Sequence, residues 1–194
     1  MHFPSVRALA ASAFVVSALA GCHESTVPTN QAGGDRVAPP PTQRETASPS
    51  GRYAFVVSTP DNWASLAATG ELFSASGGSR TRLWSARLPQ QLGPRFVLVS
   101  DVGTVVMLDE WIKVKTANAV VILDRENRPV ARHSTDAVQA VLGVPMNRIV
   151  EMATQGYWMS APPRFAASAD AVLVEAGGKI LVINLADGVL SLRG

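Results

Sequence analysis

Asp109, Glu110 and Trp111 stand together directly after an apolar run, and carboxylates beside an aromatic ring at a strand's end are the residue types that hold a cation or a polar ligand. Successive strand residues point to opposite faces, so Asp109 and Glu110 do not converge readily on one ion, and solvated strand-end charge is the competing reading. His133, Ser134 and Asp136 offer an imidazole base, a hydroxyl nucleophile and an orienting carboxylate, the residue types of a serine hydrolase. They lie very close in sequence, and no Gly-x-Ser-x-Gly elbow accompanies them. Tyr157-Trp158-Met159 and Trp111 could present flat apolar platforms to a glycan or a peptide, or could anchor the core; Trp63 and Trp84 have the same two readings. Glu110, Trp111 and Trp158 are therefore the candidate binding residues. No residue is assigned a catalytic role.

Metal and thiol chemistry are bounded by counting. The chain has one cysteine and three histidines. If Cys22 is consumed by modification, no thiol remains for a disulfide, a thiolate metal site or a cysteine nucleophile. His2 lies in the N-terminal apolar segment, which leaves His23 and His133 and no three-histidine zinc site. No metal or cofactor is expected. The formal net charge is +2 and falls further when Arg7 is removed, so there is no electrostatic argument for a nucleic-acid partner.

Arg7 opens an apolar run over residues 8–19, and Leu19-Ala20-Gly21-Cys22 closes it with small residues and the sole cysteine. The run is shorter than the roughly 20 residues a permanent membrane helix needs. The segment resembles the bacterial lipoprotein signal. That resemblance implies a signal peptide over 1–21, diacylglyceryl transfer to the Cys22 thiol, cleavage before it and acylation of the new N-terminus. Two or three acyl chains hold a membrane stably, at about 0.8 kcal/mol per buried methylene. His23 stands where an Asp would resemble an inner-membrane retention signal, so the expected location is the cell envelope, with the outer membrane favoured.

Residues 22–51 are rich in Pro, Ser, Thr, Gln and Gly, with little to bury around Pro39-Pro40-Pro41. This composition predicts a disordered tether, spanning about 30 Å as a coil. Residues 52–194 have the length of a single domain.

Within that domain, Val/Ile/Leu-rich runs alternate with turn signals. Strands are predicted at 95–100, 104–108, 119–123, 130–133, 171–174, 179–184 and 189–192, divided by Val102-Gly103, Asn127-Arg128, Gly177-Gly178 and Asp187-Gly188. Val105-Val106-Met107-Leu108 and Val120-Val121-Ile122-Leu123 are continuously apolar, which implies burial on both faces. Pro94-Arg95-Phe96 and Pro163-Arg164-Phe165 each begin a strand, a turn and an apolar run, so two four-strand antiparallel units emerge. A weaker third draws on 53–58, 71–74 and, past Gly77-Gly78, 82–86.

Units of this kind in series resemble the blades of a bacterial β-propeller repeat protein. Closed propellers take about 4 to 8 blades and this chain has material for two or three, so a mainly-β fold is expected, either propeller-like or a sandwich of duplicated meanders. Two short helices interrupt it. Ser134 or Thr135 caps the first, with Ala137, Val138, Val141 and Leu142 on one face and Gly143 at its end; Pro145 opens the second, where Met146, Ile149, Val150 and Ala153 recur before Gly156.

Two functional readings follow. The first is a non-enzymatic envelope lipoprotein whose β-domain binds a protein or polymer partner, such as an envelope protein or a glycan. The second is a lipid-anchored hydrolase built on His133 or on the Asp109/Glu110 pair.

Overall fold

Apolar runs buried on both faces need a layer on either side, and that requirement organises this molecule. The computed structural model describes residues 38–194. They form three four-stranded sheets and two short helices. The first sheet comprises β1 (Gln43–Ala47), β2 (Tyr53–Ser58), β3 (Thr69–Ser76) and β4 (Ser79–Arg87). The second comprises β5 (Pro94–Val99), β6 (Val105–Glu110), β7 (Val120–Leu123) and β8 (Pro129–His133). After α1 (Thr135–Leu142) and α2 (Met146–Met152), the third comprises β9 (Arg164–Phe165), β10 (Ala171–Ala176), β11 (Lys179–Asn184) and β12 (Leu190–Leu192). In each sheet, neighbouring strands are consecutive in the chain and antiparallel, and no barrel closes.

The second sheet is the middle layer. Val105, Met107 and Val121 pack with Phe55, Val57 and Leu72 of the first sheet. Val106, Leu108, Val120 and Ile122 face the other way and pack with Val172, Val174, Leu181 and Ile183 of the third sheet and with Val138, Leu142 and Ile149 of the helices. Each such side chain contributes about 1.5–3 kcal/mol when fully buried, so two cores made from one sheet account for its lack of alternation.

The turns follow from local chemistry. Gly77-Gly78 and Gly177-Gly178 form two-residue hairpin turns closed by Ser76↔Ser79 and Ala176↔Lys179, and all four glycines take positive φ, between 56° and 81°. That is the geometry whose twist matches antiparallel strands. The first helix is capped as its sequence requires: Ser134 Oγ accepts from Ala137 N at 3.2 Å, and Gly143 ends the helix at φ 60°. The second stops at Met152, and Val150 on it is exposed rather than buried.

One boundary differs from expectation. The domain does not begin at Arg52, because Gln43–Ala47 is a full edge strand paired along its length with β2. Its Gln-Arg-Glu-Thr-Ala sequence has no apolar alternation. Pairing with an apolar neighbour supplies what composition lacks, and it turns the three-strand candidate into a four-strand sheet. The signal peptide, Cys22 and the first part of the expected tether lie outside the described residues.

Candidate functional site

The strand end that carries Asp109, Glu110 and Trp111 is a structural junction. Asp109 sits at φ 58°, in the left-handed region that Asp tolerates better than most residues, and is fully buried. Its Oδ2 accepts from Tyr157 N at 2.7 Å, while Oδ1 has no protein partner. Burial pushes its carboxyl up to about 6, against the lowering effect of the backbone donors of Tyr157 and Glu110 and of the Arg95 charge. Gly156 makes this approach possible: a Cβ there would collide with Asp109 Oδ2 and come within 2.7 Å of Arg95 Cδ. Glu110 turns elsewhere. Its Oε1 accepts from Thr116 Oγ1 and from Asn118 Nδ2 at 3.2 Å, which braces the 110–118 loop. The two carboxyls thus diverge, and no group of three or more His, Cys, Asp or Glu suited to a metal occurs among the described residues.

Trp111 does not present a platform. Its indole N–H donates to Ala38 O at 2.8 Å, and the Arg44 and Arg95 guanidiniums lie over its ring at 5.1 and 5.0 Å from the centroid. Arg44 in turn donates to Pro94 O at 2.6 Å and Arg95 O at 3.3 Å, and Arg95 Nη2 donates to Trp111 O at 2.5 Å. Trp63 repeats the device, with its indole N–H donating to Pro40 O at 2.8 Å. The two rings together hold the Pro39-Pro40-Pro41 region, read above as free tether, against the sheets.

Trp158 is also corrected as a binding residue. It is 0% exposed, in the core that joins the second and third sheets to the helices. The loop that carries it folds back after α2, secured by the Gln155↔Met159 bridge and by the Tyr157–Asp109 bond, and this drives the largest side chain inward.

The hydrolase residues serve three separate purposes. His133 Nε2 is 2.8 Å from Gly188 O, tying β8 to the turn before β12. Ser134 Oγ caps the first helix, and Asp136 pairs with Lys115 at 2.6 Å. They share no hydrogen bond.

A site the sequence did not suggest lies between two sheet edges. The ends of β4 and β8 flank a cleft of about 320 Å³, with Leu88, Val121, Leu123 and Ala131 as apolar lining and Arg87 and Arg132 alongside. Both arginines are exposed, and neither makes a side-chain hydrogen bond or ion pair among the described residues. The edge position leaves a row of backbone donors and acceptors on each strand without a ladder partner. One signal was present in the sequence, since β4 carries Arg80, Arg82 and Arg87 and no acidic residue. Nothing in it placed Arg132 alongside. The chain matches no protein-family profile, and a search of curated proteins finds no significant relative.

Proposed function

We propose that this chain is a cell-envelope lipoprotein, anchored through Cys22 with the outer membrane as its favoured location, whose β-domain captures a partner without catalysing a reaction. In this reading the three stacked sheets are propeller-like blades in series. The partner is an extended acidic segment of an envelope protein, seated in the cleft between β4 and β8.

The observation that carries the reading is the pairing of free cations with free strand edges. Arg87 and Arg132 have no carboxylate of their own, while Arg80 and Arg82 on the same strand as Arg87, and Arg128 and Arg164 elsewhere, are each matched to at least one. An extended segment added at a sheet edge gains main-chain hydrogen bonds for affinity and side-chain contacts for specificity, and here the specificity element is positive.

The test is site-specific photo-crosslinking in cells that produce the chain, from probes at 87, 132 and, as a control, the exposed 150 position on α2. A discrete adduct from 87 and 132, absent from 150 and lost when the other arginine is changed to Glu, is expected. Adducts that form equally from 150, or none from the cleft, would contradict it.

A further inference from the structure

We infer that the cleft between β1 and β5, on the opposite edges of the first and second sheets, is a binding site for a single oxyanionic group, a phosphate or a carboxylate, held between Arg44 and Arg95. The cleft has a volume of about 420 Å³ and is lined by both arginines with Thr46, Val57, Phe96 and Val97.

Two half-buried guanidiniums converge on the same indole ring, at 5.1 and 5.0 Å from its centroid. Burial, and then the Arg95 charge, push Arg44 below its ordinary range, as expected of like charges held together. Their hydrogen bonds run to the neutral carbonyls of Pro94, Arg95 and Trp111, which fix both side chains without neutralising either. Neither has a carboxylate within ion-pair distance among the described residues, and the Nε of each is buried with no partner. Glu45, at the same cleft, is already paired with Arg80 at 3.0 Å. Asp109 feels the Arg95 charge but makes no ion pair with it, its Oδ2 accepting from Tyr157 N.

The repeat supplies an internal comparison. Arg44, Arg95 and Arg164 each lie at or next to the start of the strand that opens a sheet. In the third sheet the arginine pairs with Glu175 at 2.8 Å; in the first two no ion pair to it forms among the described residues, although Asp109 stands opposite Arg95 between the ladder pairs Pro94↔Glu110 and Phe96↔Leu108. Two pre-oriented guanidiniums with apolar walls form an arrangement that recognises a carboxylate or a phosphate by charge-assisted hydrogen bonds. This site is separate from the β4–β8 cleft, so the failure of either proposal leaves the other standing.

The experiment is a titration of the full chain with sodium phosphate and, separately, sodium succinate, each against sodium chloride at matched ionic strength, read by melting temperature and by calorimetry. Saturable binding with half-saturation at about 1 mM or below is expected for at least one of the two. Phosphate alone would assign the site to phosphorylated groups, and succinate alone to carboxylates. Arg44→Gln should abolish the effect. If that variant does not fold, Thr46→Glu, which adds a carboxylate to the cleft, should weaken binding by at least about tenfold. Equal melting in all three salts, or saturable binding unchanged in a folded Arg44→Gln or Thr46→Glu protein, would overturn the assignment.

Discussion

The indole N–H of Trp111 donates to the backbone carbonyl of Ala38 at 2.8 Å, across 73 positions of sequence. Through that contact and its counterpart from Trp63 to Pro40, a Pro-rich segment with almost nothing to bury is fixed to the sheets. The indole is suited to this because one end is apolar enough to pack and the other must find an acceptor.

Trp111→Phe should loosen the entry of the chain without unfolding the domain. It keeps a ring beneath Arg44 and Arg95 and removes the donor to Ala38, at a cost of about 1 kcal/mol. Limited proteolysis should then cut within 38–42 several-fold faster, while β1 stays protected. Unchanged cleavage would show that the Trp111 bond does not hold the segment.

Asp109 makes a signed contribution to pH dependence. Its folded-state carboxyl titrates near 6, above the ordinary 3.8, so between those values the folded state binds more protons than the unfolded one. Stability from this group therefore rises as pH falls through 6 and levels off below about 4. Relative to Asp109→Asn, the native protein should gain about 1 kcal/mol between pH 7 and pH 5. Denaturant melts of both proteins at the two pH values measure this, and a difference that is constant or of opposite sign would refute the assignment.

Trp158→Ala and His133→Ala separate the core from the periphery. The buried indole should cost about 3–5 kcal/mol when truncated. His133 makes a single bond to the Gly188 carbonyl, and its loss should cost about 1 kcal/mol. Equal losses from the two substitutions, by chemical denaturation, would be inconsistent with this packing.

Much of the fold was legible because burial writes itself into composition. The runs at β6 and β7 are continuously apolar since each faces two cores, and the Gly-Gly hairpins and the Ser134–Gly143 caps are local signals read correctly from local sequence. β1 was hidden, because Gln43–Ala47 is a strand by pairing rather than by propensity. The site was harder. Trp111 and Trp158 are the same residue type, yet one latches a distant carbonyl and the other fills the core, and tertiary packing distinguishes them. Arg87 and Arg132 come from two sheets to line one cleft, and no spacing rule anticipates that.

Cys22→Ser should leave the chain without lipid, since the thiol is the only acceptor the motif provides. Mass spectrometry of the membrane fraction should find the acyl mass on a wild-type N-terminal peptide beginning at Cys22 and none on the variant. An unmodified wild-type Cys22 would remove the anchor from the proposal.

The most direct measurement of partner capture is fluorescence anisotropy with two labelled extended probes, a Val-Glu repeat peptide and a Val-Lys repeat peptide, titrated with the full chain at fixed salt. The account predicts at least about tenfold tighter binding of the acidic probe, with the preference lost in Arg87→Glu/Arg132→Glu. Equal affinity for both probes, or an acidic preference that survives the double substitution in a folded protein, would contradict it.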